Sequence, residues 1–249
     1  MIYEEILETD STNTYLALHE KELPSPLMLT ADTQKAGRGQ RGNSWESEPG
    51  KNITVSVLWR PAGLRASDQF AISEATALAV VDYLAGRGIE ARVKWPNDIY
   101  VGDDKICGIL IEHSVTGTTV ERSILGIGIN VNQTLFTSPA PNPVSMTQLT
   151  GREYDLDEER AALGESLDRL LPLTETEEGR AQIHAEFRRG VWRGDGLPHA
   201  YRDSAGGLFH AVISDIEPKG MLVLEVRPAG EIRRFAFKEV EFLLREPEV

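Results

Sequence analysis

The chain has 249 residues, 41% of them hydrophobic, and its 26 basic and 39 acidic side chains give a formal net charge of −13. This acidic balance argues against general nucleic-acid binding, which depends on the neutralisation of phosphates by Lys and Arg. A single cysteine allows no internal disulfide, and the sequence contains neither a signal-peptide pattern nor an apolar run long enough for a bilayer. We therefore expect a cytoplasmic protein that binds neither membranes nor nucleic acid directly.

The first part of the chain alternates predicted strands and helices. Residues 2–8 alternate loosely, as an edge strand does, and the polar residues after them offer N-cap oxygens to a short helical pattern over 13–22. Strands are predicted at 27–31 and 52–61, on either side of a glycine-rich stretch. Apolar residues at helical spacing predict a long helix over 67–86.

The middle of the chain continues with strands and ends in helices. Residues 89–115 indicate a strand, a proline turn, a hairpin and a second strand, and residues 119–133 indicate a further strand that ends in glycines. A proline-rich loop is expected at 137–144. Two amphipathic helices are predicted at 157–173 and 179–192.

The hydrophobic pattern of the sequence changes at about residue 194. Short alternating strands follow at hairpin spacing, separated by the turns PKG at 218–220 and PAG at 228–230. This pattern is typical of a small all-β module of barrel type. We therefore predict two domains, residues 1–193 and residues 194–249.

The stretch AGRGQRGNSW, residues 36–45, matches the dinucleotide spacing G-x-G-x-x-G and nearly matches a P-loop. Both matches need a helix that opens at the last glycine and presents its N-terminus to phosphate. Pro49 and Gly50 leave no room for that helix, and Asn43 stands where a P-loop has its lysine. We conclude that both matches arise by chance.

The glycine-rich stretch is nevertheless locally positive. Residues 31–60 hold five Lys or Arg against three Asp or Glu, and Arg38 and Arg41 lie within the glycine run itself. Glycines let a backbone approach a ligand closely. Two interpretations remain open at this point: a binding loop for an anionic small molecule and a solvated hairpin tip.

A second group of polar residues surrounds a proline turn within residues 93–112. Its members are Lys94, Trp95, Asn97, Asp98 and Lys105. A flat aromatic side chain together with fixed cations suits a nucleotide. Taken singly, Trp95 is also typical of an aromatic residue that anchors a core, and Lys94 is also typical of a solvent-exposed residue on a strand.

A third feature is the segment GIGINVN at residues 126–132. Gly126 and Gly128 alternate along a predicted strand, which leaves one face of that strand without side chains, and Asn130 follows at its end. A ligand or a second backbone can lie against such a bare face.

These features together resemble the biotin protein ligases, the enzymes that attach biotin to biotin-dependent carboxylases. The matching motifs, in the order of that family, are DSTN (10–13), TQKAGRGQRGNSW (33–45), KWPNDIYV (94–101), DDKICGILIE (103–112), GIGINVN (126–132) and FKEVEFL (237–243). The resemblance covers essentially the whole chain. Because the catalytic pattern begins at residue 1, we expect a short form without the N-terminal DNA-binding domain that some members carry.

The resemblance implies a fold and a reaction. The fold is α/β (α+β), with a mixed, mainly antiparallel sheet flanked by helices as in class II aminoacyl-tRNA synthetases, and a small C-terminal SH3-like β-barrel. The reaction uses ATP and biotin as substrates, with Mg²⁺ accompanying the phosphates and no metal cage in the protein. Biotin is first activated as biotinyl-AMP and then transferred to a lysine of a biotin carboxyl carrier protein.

The chemistry of the first step explains which residue types are needed. A carboxylate anion must approach a polyphosphate anion, and the carboxylate is already ionised at pH 7, so no strong general base is required. The barrier is charge repulsion and misorientation, which preorganised cations lower. The five histidines are scattered along the sequence and are read as ordinary surface or core residues.

The resemblance also assigns roles to residues. The biotin-binding positions are Ser11, Thr12, Asn13, Gln34, Gly37, Arg38, Lys105, Gly108, Gly126 and Gly128. The ATP-binding positions are Arg38, Arg41, Trp45, Lys94, Asn97, Asp98 and Asn130. The catalytic positions are Lys105, Arg38, Lys94 and Asp98. Arg38 and Lys105 are expected to face both the biotin carboxylate and the α-phosphate, and two roles stay open for Asp98: indirect binding of Mg²⁺ or assistance to the incoming lysine.

One departure from the family concerns the loop. Gln40 and Asn43 stand where many members have Arg, and the lower charge is expected to weaken retention of the adenylate or of phosphate. The glycine content predicts that residues 36–43 become ordered when ligand binds.

Three alternatives remain at the level of sequence: a lipoate–protein ligase, a non-enzymatic biotin-binding regulator and a generic nucleotide-binding protein. The Arg-Arg and triple-glycine loop of the lipoate enzymes is absent from this sequence. An exposed strand edge is expected to serve either carrier docking or a homodimer.

Overall fold

Two β-sheets organise the chain in the computed structural model, which describes residues 1–40, 43–138 and 140–244. The larger sheet consists of β1 (Ile2–Thr9), β2 (Leu27–Gln34), β3 (Ile53–Trp59), β4 (Arg92–Lys94), β5 (Asp98–Val101), β6 (Asp104–Thr116) and β7 (Thr119–Ile129). Its strand order is β1-β2-β3-β7-β6-β5-β4. The pair β1–β2 is parallel and the other pairs are antiparallel, so the prediction of a mixed, mainly antiparallel sheet is confirmed.

The described helices cover the two faces of this sheet unequally. They are α1 (Thr12–His19), α2 (Phe70–Ala85), α3 (Met146–Thr150), α4 (Leu156–Leu170) and α5 (Glu177–Arg189). The helix α2 contacts α4, α5 and the strands β4 and β5, so these three helices form a layer on one face. The opposite face carries α1, which contacts β2, β3 and β7. None of the described helices has the length and hydropathy needed to cross a membrane.

The alternation of side chains along the central strands explains why both faces of the sheet pack against helices. In β3, Val55 and Val57 belong to the main core beneath α2, while Leu58 belongs to a smaller cluster with Leu16 of α1. Successive side chains of a strand point to opposite faces. On the α1 face the small cluster ends at Ile124, and beyond it the strand residues are glycines and small polar residues. This face is therefore open where the helix layer on the other side is closed.

The C-terminal residues form the second sheet. Its strands are β8 (His199–Asp203), β9 (Leu208–Ile216), β10 (Leu222–Arg227), β11 (Glu231–Phe235) and β12 (Val240–Phe242). The order is β11-β10-β9-β8-β12, and within the described residues no ladder joins β11 to β12. The sheet is therefore open, and the predicted SH3-like barrel is not confirmed.

Two elements were missed at the level of sequence. The helix α3 has five residues, too few to show helical periodicity, and it is defined instead by a capping box between Ser145 and Gln148 and by Gly151 at φ 74°. The strand β8 carries His, Arg and Asp among its five residues, a composition that does not favour strands in isolation. The strand β8 depends on its pairing with β9 and β12, whereas the Ser145-x-x-Gln148 capping box of α3 is a local signal that was missed.

A small interface attaches the second sheet to the first. The indole Nε1 of Trp95 donates a 3.0 Å hydrogen bond to the carbonyl oxygen of Gly220, and its ring meets that of Phe237 with centroids 6.3 Å apart. The guanidinium of Arg188 lies 2.8 Å from the carboxylate of Asp215. The Trp95 contacts hold the β9–β10 and β11–β12 turns beside the proline turn of the first sheet, and the ion pair joins β9 to α5.

A buried acid lies in the helix layer. The Glu74 side chain of α2 is 2% exposed and accepts a 2.7 Å hydrogen bond from Nδ1 of His184 in α5. Burial raises the pKa of Glu74 from its ordinary value of 4.5 to about 7, even though His184 opposes the shift. The raised pKa means that the folded state binds a proton more tightly than the unfolded state, so this contribution to stability is lost as the pH rises from about 4.5 through 7.

We expect Glu74→Gln to remove that loss, because an amide keeps an acceptor for His184 without a charge. At pH 8 the variant should be more stable than the wild type by on the order of 2 kcal/mol, and at pH 4.5 the two should be similar. Urea unfolding across this pH range measures the difference, with the exposed Glu178→Gln as a control. A constant difference at all pH values would contradict the titration of Glu74.

Candidate functional site

A cleft of about 1150 Å³ lies over the open face of the first sheet. The sheet forms its floor, residues 38–40 and 43–46 form one wall, residues 136, 138 and 140–143 form a second, and residues 202–204 and 237–244 of the second sheet form a third. The cleft brings together all three sequence motifs that we had singled out: the glycine loop, the proline turn and the glycine strand.

Strand register aligns the floor in one row across five strands. The aligned positions, from β3 to β4, are Thr54, Gly128, Gly108, Asp98 and Lys94. Residues in register across a sheet point to the same face. The two glycines therefore lie near the centre of the row, and the charged residues Asp98 and Lys94 lie on one side of them.

The indole of Trp45 lies on these two glycines. A Cβ atom added to Gly108 would come 2.9 Å from the Trp45 ring, and one added to Gly128 would overlap it. The Nε1 atom of Trp45 is buried and has no hydrogen-bond partner. Trp45, expected on the nucleotide side, thus covers glycines that were expected to line the biotin slot.

A buried polar network forms one end of the cleft, near β2 and β3. Gln34 Oε1 accepts hydrogen bonds of 2.8 Å from the Thr12 backbone N–H and 3.2 Å from its hydroxyl, which in turn accepts a 2.7 Å bond from Ser56. Asn13 donates to Glu112 Oε2 at 2.9 Å and lies directly over Gly126. The structure thus gathers these predicted residues around a preformed set of donors and acceptors.

Ser11 occupies the N-cap of α1 without bonding to the helix. Its side chain makes no capping hydrogen bond and it is 3% exposed. The capping role considered for Ser11 is therefore absent, and its hydroxyl lines the cleft. A hydroxyl placed in this way can donate to a ligand and accept from it.

Arg38 lies at the entrance to the end of the cleft near β2 and β3. Its guanidinium forms an ion pair with Glu112 at 2.8 Å, and a further bond of 3.4 Å to Thr14. Both partners of the ion pair are more than one-third exposed, so the pair contributes little to stability.

Lys105 lies beside Gly108 at the centre of the floor. Its Nζ atom is 2.7 Å from the carboxylate of Asp98 and 5.9 Å from the centre of the Trp45 ring. The structure does not bring Arg38 and Lys105 together. Glu112, which holds Arg38, lies four residues along β6 from Gly108, a span of about 13 Å in a strand.

Lys94 occupies an aromatic pocket at the other end of the row. Its Nζ atom donates a 2.9 Å hydrogen bond to Tyr100 and lies 5.9 Å from the ring centre of Trp192 and 6.0 Å from that of Phe242. Burial lowers the pKa of Lys94, and the neighbouring Lys105 adds to that effect while Asp98 opposes it. A desolvated ammonium of this kind interacts strongly with any anion that reaches it.

The amides of Asn97 and Asn130 are already engaged. The Asn97 side chain donates to the carbonyl oxygen of Ile109, and that of Asn130 donates to Val144 at 3.0 Å. Both residues line the cleft and are less than one-tenth exposed. Their described contacts fix the proline turn and the end of β7 in place.

The glycine loop forms a narrow hairpin over the cleft. Gly39 N–H donates to Asn43 at 2.7 Å, and Trp45 N–H donates to Gly37 at 2.9 Å. A Cβ on Gly37 would press against the Trp45 carbonyl, so glycine is needed there for close approach. Two predicted positions of this loop, Arg41 and Gly42, lie outside the described residues.

Glu46 was not singled out from the sequence, yet it ties the loop to the opposite wall. Its carboxylate accepts hydrogen bonds from the backbone N–H groups of Thr137 at 2.9 Å and Ser138 at 2.7 Å, and from Gln133 at 3.2 Å. Burial would raise the pKa of Glu46, but these bonds outweigh it and lower the pKa to about 2. Glu46 therefore stays ionised and holds Trp45, its neighbour, over the floor.

Other functional neighbours were also missed. Glu112 and Tyr100, the partners of Arg38 and Lys94, were not selected from the sequence. A signal existed for Glu112, because it follows Gly108 with the period of two that places residues on one strand face. Among the described residues, no group of three or more His, Cys, Asp or Glu side chains is arranged to hold a metal ion.

The chain is similar to known proteins in sequence and in fold. The family model described as "Biotin/lipoate A/B protein ligase family" matches residues 6–130. The chain is 30% identical over 241 residues to the biotin–[acetyl-CoA-carboxylase] ligase of Paracoccus denitrificans, which covers 91% of this chain and 98% of the relative. Its fold matches a biotin protein ligase from Aquifex aeolicus in complex with biotin and ATP, with a TM-score of 0.78, 22% identity and coverage of 96% and 97% of the two chains.

Longer relatives match over part of their length. The chain is 33% identical over 159 residues to the bifunctional ligase/repressor BirA of Bacillus spizizenii and 39% identical over 129 residues to that of Escherichia coli. These alignments cover 62% and 51% of this chain but only 48% and 39% of the relatives. The chain thus spans less than half the length of these two proteins.

We expect Glu46→Ala to loosen the glycine loop, because it removes the carboxylate that anchors the loop to residues 137 and 138. Trypsin should then cleave after Arg38 faster by roughly 3- to 10-fold, since cleavage requires local opening. Timed digestion followed by mass spectrometry measures the rate. The matched control is Glu48→Ala, because that side chain is exposed; equal cleavage rates in both variants would refute the anchoring role.

Proposed function

Since the chain belongs to the Biotin/lipoate A/B protein ligase family, we propose that it activates biotin with ATP and transfers it to a lysine of a biotin carboxyl carrier protein. The observation that carries this proposal is the bare glycine floor bordered by Lys105, Asp98 and Lys94. Such a floor admits a flat, extended ligand, and the cations beside it suit a ligand whose reacting end is negative.

In the first step, a carboxylate oxygen of biotin attacks the α-phosphorus of ATP, and the bond to the bridging oxygen of the β-phosphate breaks. The products are biotinyl-AMP and pyrophosphate. The ring of biotin is placed at the network of Ser11, Thr12 and Gln34, which offers both donors and acceptors. Its carboxylate then extends over the glycines toward Lys105, where the ammonium neutralises the approaching phosphate.

Both cations must exchange partners for this step. Lys105 is held by Asp98 at 2.7 Å and Arg38 by Glu112 at 2.8 Å. The incoming carboxylate and α-phosphate replace these carboxylates, and Trp45 leaves the glycines for the side of the adenine base. Asp98 keeps the Lys105 ammonium oriented until then. Mg²⁺ enters with the phosphates of ATP.

In the second step, the amine of the carrier lysine attacks the acyl carbon of biotinyl-AMP. The acyl–phosphate bond breaks, AMP leaves, and the amine loses its extra proton as the amide forms. The second sheet supplies one wall of the cleft, and we propose that residues 1–193 and 194–249 act as a catalytic and a wall-forming domain. The carrier, or a second copy of the chain, docks on β6, where residues 111–116 are paired by β7 alone.

The rival functions differ in measurable ways. A lipoate ligase would activate lipoate in preference to biotin. A biotin-binding regulator would bind biotin without forming the adenylate. The Paracoccus relative that matches nearly the whole chain is named as a biotin ligase, which favours biotin over lipoate.

We expect the wild-type protein, given biotin, labelled ATP and Mg²⁺, to form biotinyl-AMP and to form little adenylate with lipoate. Lys105→Ala should slow adenylation by about 100-fold or more, as loss of one charge-stabilising donor does elsewhere. The control is Lys35→Ala, an exposed lysine paired with Glu8 outside the cleft. Adenylation at the wild-type rate in Lys105→Ala would remove the main catalytic assignment.

We also expect biotin together with ATP to protect the glycine loop from trypsin. Arg38 must leave Glu112 to reach the ligand, and the loop then closes on it. Cleavage after Lys35 and Arg38 should slow by roughly 10-fold, while cleavage after Lys219 in the second sheet serves as the internal reference. Unchanged cleavage of residues 36–43 in the presence of both substrates would rule out loop closure.

A further inference from the structure

The turn between β11 and β12 holds an exposed lysine in an unusual backbone conformation. Lys238 has φ 70°, and it is one of two described residues other than glycine with a positive φ. A side chain with a Cβ atom adopts this region at a cost in free energy, which glycine does not incur. Such outliers cluster at functional sites.

The Lys238 side chain is available to a ligand. Lys238 lines the cleft, and the described contact of its Nζ atom is the ring of Phe237, 5.8 Å away. Phe237 packs in turn on Trp95 of the proline turn, so the lysine is fixed to the first sheet through two aromatic rings.

The acidic residues of the same rim have partners of their own. Glu241 accepts a 2.8 Å bond from Arg202, and Glu239 accepts a 2.7 Å bond from the backbone N–H of Ala236. Asp203 accepts a 2.8 Å bond from the backbone N–H of Gly207. The Lys238 ammonium therefore faces the cleft beside carboxylates that are already engaged.

The two sides of this end of the cleft differ in charge. The described cleft residues of the opposite wall, at 130, 136, 138 and 140–143, include no charged side chain. The rim of the second sheet carries charges of both signs, and its Arg202 is paired with Glu241, whereas Lys238 has no carboxylate partner among the described residues. An adenine base suits the uncharged wall, and a phosphate suits the ammonium of Lys238.

We propose that Lys238 binds the β- and γ-phosphates of ATP and the pyrophosphate that leaves, an assignment that rests on the function proposed above. The side chain lines the cleft from a left-handed backbone position. Glycine would relieve the strain but would leave the rim without its ammonium. Lys238 is thus a binding residue: its charge serves the ligand, although glycine at this position would make the turn more stable.

Biotin-dependent exchange of pyrophosphate into ATP tests the proposal, with Lys238→Gly as the principal variant. We expect KM for pyrophosphate and for ATP to rise by roughly 5- to 20-fold, consistent with loss of one charge-assisted contact to phosphate. KM for biotin should stay unchanged, and Tm should stay equal or rise because glycine accepts φ 70°. Lys238→Arg should restore most of the affinity, and Lys219→Ala, in another turn of the same sheet, should match the wild type.

Wild-type KM values for pyrophosphate and ATP in Lys238→Gly would overturn the proposal, as would an equal rise in KM for biotin. A wild-type protein without biotin-dependent exchange would instead contradict the proposed function. Calorimetry with magnesium pyrophosphate alone then decides the role of Lys238. Weaker binding by Lys238→Gly than by the wild type supports it, and equal binding or no binding by the wild type refutes it.

Discussion

The alignment of five strands in one register is the constraint on which the cleft depends. It places Gly108 opposite Gly128 and sets Asp98 and Lys94 beside them on the same face. A shift of any strand by one residue would turn these positions into the helix layer and bring apolar neighbours to the surface. The buried residues on the other face, such as Ile109 and Ile127, oppose that shift because they pack beneath α2. The core on the helix-covered face therefore fixes the geometry of the floor.

The second sheet and the two long loops then give the floor its walls. The Glu46 carboxylate joins the glycine loop to residues 137 and 138 by accepting hydrogen bonds from their backbone N–H groups. Its pKa of about 2 keeps this carboxylate ionised over the whole physiological range of pH. Trp95 joins the proline turn to Gly220. The glycine loop and the second sheet are thus each attached through a few contacts while residues at their rims stay exposed to solvent, which is the arrangement expected of segments that must admit a ligand and then close over it.

The sequence predicted the elements with strong local patterns and missed those that depend on distant contacts. The strand β3 and the helices α2, α4 and α5 follow from alternation or helical spacing, and Gly126 and Gly128 reveal a bare strand face by themselves. The pairing of Lys105 with Asp98 spans a hairpin, but that of Arg38 with Glu112 spans 74 residues. No local pattern encodes such a pair. For the same reason the position of Trp45 on the glycines, and the rim around Lys238, became visible only in three dimensions.

The charges of the cleft support the proposed binding of two anions by a protein of net charge −13. Arg38 and Lys105 are each neutralised by a carboxylate before any ligand arrives, so the empty cleft does not concentrate anions strongly. An anion that binds to Arg38 or Lys105 must displace one of those carboxylates. Glu112, the partner of Arg38, lies about 13 Å along β6 from Gly108, beside which the Lys105 side chain lies, so a ligand must either span that distance or draw the loop of Arg38 inward. A long molecule with a polar head and a terminal carboxylate, joined end to end with a phosphate, spans that distance. It gains a further contact when the loop of Arg38 moves inward.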